Sequence, residues 1–294
     1  MSSPFEAHYL EPQTPFSQSD ILGVYALPIA ANMQNSGDRL QAMVNRTGIP
    51  FIVSDLLAQN RRTIFDMAAK DANQPTGDVY RDMSQRRLDF VEEKSEEYQP
   101  RILLGMADSL GVPAIQGMQL HREDRQGFNA LLLRDGWNLG RSSGKATGMA
   151  RYLGYQIRDM IHQKRDGVKF DIPKAGWEDT RPSQKPEVGG LGAIRNVADL
   201  MRGPHNRRNA VILAGECATQ GVALNIVLFE NGLSGTIPQQ EAFIKDLRAA
   251  HNQAHEEHGA YGRLRHEIVP GWHSDLLDPA RGAQDVRDTI NLMA

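Results

Sequence analysis

Apolar runs and amphipathic segments alternate along much of the chain. Residues 20–27 form an apolar run that predicts a strand, and Asn35 and Ser36 are N-cap residues ahead of an amphipathic helix. Residues 47–50 break that helix, and residues 51–54 predict a second short strand. Strand, helix and strand within so short a stretch predict a βαβ unit with two parallel strands.

The same pattern predicts further helices and strands toward the C-terminus. Helices are expected at residues 59–70, 79–98, 149–163, 210–220 and 239–258, and strands at residues 102–106 and 223–229. This alternation predicts an α/β fold with a mostly parallel sheet. We expect residues 1–19 to form a flexible tail and residues 20–294 a single α/β domain, with an insertion or mobile loop at about 167–192.

The composition is that of an ordinary globular protein, with 40% apolar and 23% charged residues among 294. The single cysteine, Cys217, excludes an intrachain disulfide and fits a reducing compartment. The N-terminus lacks the pattern of a secretory signal, and no apolar run is long enough to span a membrane. The sequence therefore predicts a cytoplasmic protein without a membrane partner, and it leaves the oligomeric state open.

Positive charge is concentrated in the middle of a chain whose net charge is −3. Residues 141–210 contain 14 Lys or Arg against 7 Asp or Glu. Arg151, Arg158 and Arg165 lie along one stripe of the helix predicted there. This pattern fits a surface that binds a polyanion, and it also fits a solvated loop region.

Glu216 is the one charged residue between Val211 and Phe229, in a run that is otherwise neutral and largely apolar. Burying an unpaired carboxylate is costly, so a buried acid is either paired or used in chemistry. We expect Glu216 inside the α/β core beside a strand end; a hydrogen bond to a loop or a solvent-facing position is the alternative. Asn32 and Asp55 follow the two strands of the βαβ unit, and they are either ligand-edge residues or turn and cap residues.

Two separated blocks resemble the tRNA-dependent cyclodipeptide synthases. The first contains Asn32, residues 36–40 (SGDRL) and residues 55–60 (DLLAQN); the second contains residues 213–218 (LAGECA), the strand after them, and residues 241–244 (EAFI). The resemblance implies a Rossmann-like three-layer domain, similar to the catalytic domain of class I aminoacyl-tRNA synthetases. It implies an aminoacyl-tRNA as the donor and a small-molecule or amino-acid acceptor. No cofactor and no metal site are expected.

Three positions depart from the pattern of that family. Ile29 stands where the family has its nucleophilic serine, and Ile212 and Phe229 stand at the positions of two site tyrosines. An isoleucine cannot accept an acyl group, so we expect direct transfer of the aminoacyl group to an amine, without the usual acyl-enzyme.

The resemblance also implies roles for individual residues. Glu216 would be the general base, and Asn32 would donate a hydrogen bond to the carbonyl or its oxyanion. Asp55, Asn60 and Phe229 are the candidate substrate-binding residues. Six arginines are candidates for contacts with tRNA phosphates: Arg151, Arg158, Arg165, Arg202, Arg207 and Arg208.

The sequence also allows other functions and contains other motifs. A catalytically silent tRNA- or RNA-binding regulatory protein and a Rossmann-like enzyme acting on a small molecule without RNA both remain open. Residues 140–147 lack the spacing and the hydroxyl residue of a phosphate-binding P-loop. His251 and His255 lie on a polar helix, which favours a surface helix over a metal site. Neither Ser36 nor Ser54 lies in the Gly-x-Ser-x-Gly pattern of a hydrolase nucleophile.

Overall fold

Seven strands form one sheet in the computed structural model, which describes residues 7–13, 20–26, 33–54, 76–137, 139, 207–232, 234–259 and 261–294. The strands are β1 (Ala7–Leu10), β2 (Ile21–Ala26), β3 (Phe51–Ser54), β4 (Ile102–Asp108), β5 (Ala130–Arg134), β6 (Ala223–Asn231) and β7 (Leu264–Trp272). Their order across the sheet is β1-β3-β2-β4-β5-β6-β7. β1 runs antiparallel to β3, and the other neighbouring pairs are parallel.

Helices cover both faces of this sheet, which gives a three-layer α/β arrangement. On one face lie α1 (Met33–Thr47) and α6 (Pro279–Asn291). On the other face lie α2 (Thr76–Tyr98), α3 (Val112–Leu120), α4 (Arg207–Thr219) and α5 (Ile237–His258). The strands between the two helical layers are nearly continuous apolar runs, as parallel strands covered on both faces must be.

The βαβ unit predicted from the sequence is confirmed. β2, α1 and β3 follow one another, and β2 pairs parallel to β3 with Gly23 opposite Phe51. A Cβ on Gly23 would lie 2.3 Å from the Phe51 ring, so glycine at this position makes room for the aromatic side chain. The α/β class and the mostly parallel sheet are confirmed as well.

The strand order differs from the one expected of a Rossmann-like domain. Counted by themselves along the chain, the six parallel strands lie in the order 2-1-3-4-5-6. The order typical of dinucleotide-binding Rossmann domains is 3-2-1-4-5-6. The Rossmann-like part of the prediction is therefore not confirmed.

The long elements match their predicted positions within a few residues, with α2 beginning at Thr76 and β4 ending at Asp108. Part of the segment predicted as a tail is the edge strand β1. The helices predicted at 59–70 and 149–163 and the insertion at 167–192 lie outside the described residues, and the single domain stays a prediction. Among the helices in the described ranges, none combines the length and apolarity needed to cross a membrane.

Candidate active site

A serine occupies a sharp turn at the carboxyl end of β4. Ser109 directly follows the strand and begins a 3₁₀ turn, Ser109–Gly111, that leads into α3. Its φ is 49°, in the left-handed region that residues other than glycine rarely adopt. Backbone strain of this kind concentrates at functional sites. A strand–serine–helix turn of this type presents the serine hydroxyl above the edge of the sheet.

His273 and Asp135 complete a hydrogen-bonded series with this serine. His273 follows β7, and its Nε2 lies 2.8 Å from Ser109 Oγ. Its Nδ1 lies 2.5 Å from Oδ2 of Asp135, which follows β5. The three side chains therefore come from the carboxyl ends of three parallel strands, the edge at which such sheets bind ligands.

The chemistry of the partners fixes the direction of these hydrogen bonds. An ionised carboxylate only accepts, so His273 Nδ1 carries the proton and donates it to Asp135. The other ring nitrogen, Nε2, is then free of a proton and accepts from the Ser109 hydroxyl. The backbone N–H of Ser234 donates to the other carboxylate oxygen of Asp135 at 3.3 Å, which holds the acid from the β6 side.

Two glycines leave the space that this arrangement needs. A Cβ on Gly136 would lie 2.2 Å from Val112 and 2.5 Å from the carbonyl oxygen of Ser109. A Cβ on Gly232 would lie 2.3 Å from Oδ2 of Asp135. Real Cβ atoms essentially never approach a neighbour this closely. Glycine at both positions therefore lets the loops after β5 and β6 pass close to the serine and the acid.

Exposure falls along the series from histidine to acid. The His273 side chain is 12% exposed, whereas that of Asp135 is fully buried. Ser109 itself is 6% exposed. A buried acid hydrogen-bonded to a histidine is the arrangement that holds an imidazole in the tautomer and orientation needed to act on a serine.

A buried group of charged side chains lies on the α1 and α6 side of the sheet, directly beneath these loops. Arg134 donates from Nε and Nη2 to the two carboxylate oxygens of Asp108, at 2.7 and 2.8 Å. Its Nη1 contacts Asp285 of α6 at 3.1 Å, and the Tyr25 hydroxyl donates to Asp108. Each of these four side chains is at most 1% exposed.

The protonation of this group follows from its burial and its charges. Burial raises the pKa of Tyr25 well above its ordinary value, and the charge of Asp108 raises it further, so the phenol stays a donor. Burial opposes the charge of Arg134, but Asp108 and Asp285 outweigh it and raise the pKa of that guanidinium. Burial raises the pKa of Asp285, against the attraction of Arg134 and Arg281.

The candidate catalytic residue Glu216 is not buried. It is exposed on α4, and its Oε2 accepts a hydrogen bond from Gln220 at 2.7 Å. The prediction of a carboxylate in the dry core is therefore wrong. The buried residues of α4 recur at helical spacing, and they turn Glu216 to the opposite side: Ala210, Leu213, Ala214, Cys217 and Ala218.

The other predicted site residues do not converge on Ser109 within the described part of the chain. Phe229 is buried in β6, and its carbonyl accepts a hydrogen bond from Gln240. Arg207 donates to Asp246 at 2.6 Å and so links α4 to α5, while Arg208 is exposed. The remaining candidates lie outside the described residues: Asn32, Asp55, Asn60, Arg151, Arg158, Arg165 and Arg202. Their individual roles stay predictions.

The sequence held a signal for Ser109 that the search for a nucleophile missed. Ala107-Asp-Ser-Leu-Gly111 begins at the end of a buried strand and differs from Gly-x-Ser-x-Gly only in its first residue. Alanine is small enough for the first position, where it is fully buried. His273 and Asp135 carry no comparable local signal. No group of His, Cys, Asp and Glu in the described ranges could hold a metal ion.

Comparisons of the whole chain show similarity in fold. No family model and no curated protein matches the sequence. A lipase-esterase related protein from Clostridium acetobutylicum superposes with a TM-score of 0.55 and 9% identity, over 98% of this chain and 100% of that one. A thermostable carboxyl esterase from Bacillus coagulans gives 0.55 and 11%, over 99% and 94%. A carboxylesterase structure from Nitrososphaera gargenis gives 0.51 and 11%, over 100% and 98%.

Identities this low establish the fold and nothing beyond it. These neighbours have the α/β-hydrolase fold, and the seven-stranded, mostly parallel sheet of this chain is consistent with that fold. The resemblance to cyclodipeptide synthases is therefore wrong, and with it the aminoacyltransferase function and the aminoacyl-tRNA donor. The second of the two blocks lies within α4, β6 and α5, and alternating helices and strands of this kind occur in any parallel α/β sheet.

Proposed function

We propose that the chain is a serine hydrolase that cleaves carboxylic esters of small molecules. The hydrogen-bonded series of Ser109, His273 and Asp135 carries the proposal, because it joins a nucleophile, a base and an acid that orients the base. Their order along the chain, Ser, Asp, His, is also that of α/β-hydrolase triads. The esterase names of the structural neighbours favour an ester as the substrate.

The geometry supports a two-stage reaction. The Ser109 oxygen attacks the ester carbonyl while His273 Nε2 takes the hydroxyl proton, and Asp135 stabilises the imidazolium. The imidazolium then protonates the departing alcohol as its bond to the acyl carbon breaks, which leaves an acyl group on Ser109. Water attacks this acyl group with His273 as base, and the carboxylic acid leaves as the serine regains its proton.

The negative charge on the carbonyl oxygen needs hydrogen-bond donors nearby. In α/β hydrolases one donor is the backbone N–H of the residue after the nucleophile, which here is Leu110. The second comes from the connection after the neighbouring strand, which in this chain is residues 27–32, between β2 and α1. Asn32, the last residue of that connection and one with a side-chain N–H donor, is our candidate for the second donor.

The proposal is tested with a fluorophosphonate probe, which labels activated serines, and with p-nitrophenyl acetate and butyrate. Wild-type protein should be labelled at Ser109 and should release p-nitrophenol. Ser109→Ala should lose both, whereas Ser95→Ala, on α2, should retain both. A wild-type protein without label or turnover, or turnover that survives in Ser109→Ala, would overturn the proposal.

Cys217 provides a second check on the nucleophile. This thiol is fully buried, and burial raises its pKa, so it is protonated and unreactive in the folded protein. Ester turnover should therefore persist after treatment with iodoacetamide under native conditions. A cytoplasmic location, which the lone cysteine favours, stays a proposal beside this one.

A further inference from the structure

The residues of the charged group beneath the active site, and a carbonyl that the group binds, are close in sequence to the three triad residues. Asp108 is the residue before Ser109, and Arg134 is the residue before Asp135. Leu276, whose carbonyl accepts from Arg134 Nη2 at 2.8 Å, lies three residues after His273 in the same 3₁₀ turn. A single guanidinium therefore contacts the segments that carry the nucleophile, the acid and the base.

Strand register explains why these side chains meet. Asp108 and Arg134 are directly paired across β4 and β5, at the last registered position of the two strands. Their side chains point to the same face of the sheet, toward α1 and α6. The next residue on each strand, Ser109 or Asp135, takes a positive φ, 49° and 47° respectively. The pair thus lies immediately before the two turns that aim the catalytic side chains.

The hydrogen bonds of Arg134 define its position closely. Two donors hold both oxygens of Asp108, the third nitrogen contacts Asp285 on α6, and the Leu276 carbonyl is bound as well. A planar guanidinium with its donors fixed in a fork adds geometric specificity that a point charge lacks. The Tyr25 hydroxyl, from β2, donates to the same carboxylate and ties a fourth segment to the group.

Stability alone is a weak reason to keep such a group. Buried ion pairs seldom stabilise a fold more than well-packed apolar residues of similar volume would. Their best-attested use is to specify one arrangement of the parts that they join. Here the parts are the turns after β4, β5 and β7, whose relative placement sets the 2.8 and 2.5 Å contacts of the triad.

We propose that Arg134 is a positioning residue, which through Asp108 and the Leu276 carbonyl holds Ser109, Asp135 and His273 in register. This inference rests on the proposed hydrolase function for its kinetic consequences. Its structural content, that Arg134 sets the His273–Asp135 contact, is measurable without any substrate.

The central variant is Arg134→Lys, which keeps the positive charge beside two buried carboxylates and removes the fork. A lysine places its three N–H donors on one nitrogen, so it cannot reproduce the contacts that Arg134 makes from three separate nitrogens. Misplacement of a catalytic group by about 1 Å costs on the order of 100-fold in rate. We therefore expect kcat for p-nitrophenyl butyrate to fall by about that factor, with KM changed by less than about threefold because Arg134 is buried beneath the turns that carry the triad.

Arg125→Lys is the matched control. Arg125 also pairs with an aspartate, Asp89, at 2.5 Å, but it joins the loop after α3 to α2 and has no contact with the triad. Three readouts are compared in wild type and both variants: kcat and KM, the rate of fluorophosphonate labelling, and the downfield proton resonance of His273 Nδ1–H in NMR spectra. Urea unfolding verifies that each protein is folded.

The inference is supported if Arg134→Lys is folded, turns over and is labelled about 100-fold more slowly, and shifts or loses the His273 resonance, while Arg125→Lys matches wild type. A folded Arg134→Lys with wild-type kcat, labelling rate and resonance overturns it and leaves the hydrolase proposal intact. Should Arg134→Lys not fold, Asp108→Asn, which keeps the side-chain shape, is read by the same criteria.

Failure of the hydrolase proposal has a different signature. Wild-type protein would then be neither labelled nor active, and the NMR resonance alone would decide the positioning role. A His273 resonance that is unchanged in Arg134→Lys would overturn the positioning role too, whereas its loss would support it.

Discussion

Gly232→Ala is a sharp test of the triad, because it disturbs Asp135 without changing any of the three catalytic side chains. Gly232 follows β6 and lies against the carboxylate of Asp135. The added Cβ would lie 2.3 Å from Oδ2 and 2.4 Å from Oδ1 of Asp135. Gly232 does not have a positive φ, so alanine at this position disturbs the site by steric overlap and not by backbone strain.

The size of the effect follows from these distances. Ordinary contact begins at 3.4 Å, so the carboxylate and the new methyl group must separate by about 1.1 Å from the 2.3 Å starting point. That exceeds the range of about 0.5 Å over which N–H···O hydrogen bonds keep their strength. Misplacement of about 1 Å costs roughly 100-fold in rate, and complete loss of the acid costs about 10,000-fold. We expect kcat to fall by a factor between these two values.

The assay is steady-state hydrolysis of p-nitrophenyl butyrate, with fluorophosphonate labelling in parallel, since both need Ser109 activated by His273. KM should change little because the disturbance lies behind the histidine. Overpacking of this kind also destabilises by about 1–3 kcal/mol, which urea unfolding measures.

Gly215→Ala is the control for a glycine-to-alanine change. Gly215 lies inside α4, and its added Cβ would find its nearest neighbour, the Ala250 carbonyl oxygen, at 3.8 Å. Alanine in a helix interior is favoured by about 0.5–1 kcal/mol over glycine, so this variant should be more stable and fully active. Wild-type kcat in a folded Gly232→Ala protein would refute the placement of Asp135 behind His273.

Three further outcomes are expected. Asp135→Asn should lower kcat by about 10,000-fold in the ester assay, because an amide at this position favours the wrong tautomer of the histidine. Burial, and then the neighbouring His255, lower the pKa of His251, so the folded state binds fewer protons than the unfolded one just below pH 6.5. The unfolding free energy should therefore fall as pH drops from 7.5 to 5.5, and urea titrations should show a smaller fall in His251→Leu. Gly262→Ala would place a Cβ 2.3 Å from the Cys217 carbonyl oxygen, and it should lower the urea midpoint while leaving the kcat of the remaining folded protein unchanged.

The hydrophobic pattern predicted most of the uniformly buried strands, although β5, which is buried at every position, was not among the predicted strands. β2 and β3 are buried at every position, and β6 is buried over its first seven residues. Such strands can be predicted from the sequence because parallel strands that are covered on both faces contain unbroken apolar runs. The strand β7 was missed for the opposite reason. It lies at the sheet edge, and its residues are mostly half-buried, with Arg265 and Glu267 forming an ion pair. Edge strands often carry charged residues, so they lack the continuous apolar run by which a buried strand is recognised.

Because β7 was not predicted, His273, which we propose as the base, was not recognised either. His273 can be recognised as a site residue only from its position just after a parallel strand. It lies 138 residues from Asp135 and 164 from Ser109 along the chain. No local motif spans such separations. The nucleophile was more accessible, because a small residue, Ser109 and Gly111 follow a predicted strand. The strict Gly-x-Ser-x-Gly pattern does not identify Ser109, because Ala107 stands at the first position.

Glu216 shows that the number of apolar neighbours along the chain predicts burial less well than the helical spacing of those neighbours. The segment around it is apolar as a whole, which favoured burial. The buried positions of α4 are nevertheless spaced three and four residues apart, beginning at Ala210, and Glu216 falls between them on the solvent side. The period was present in the sequence, so this error lay in reading the run as a single block.

The two dipeptides Asp108-Ser109 and Arg134-Asp135 have the same arrangement, because each stands at the end of a strand whose side chains alternate between the two faces of the sheet. In each, the first residue ends a strand and turns its side chain into the layer of α1 and α6, while the second leaves the sheet in a left-handed conformation toward the active site. The residues of the buried ion pair are therefore adjacent in sequence to the residues of the proposed triad, but their side chains point in a different direction. A one-residue slip of β4 against β5 would separate Asp108 from Arg134 and Ser109 from Asp135 together. If Arg134 positions the triad as proposed, the register that buries the ion pair is the same register that assembles the nucleophile and its acid.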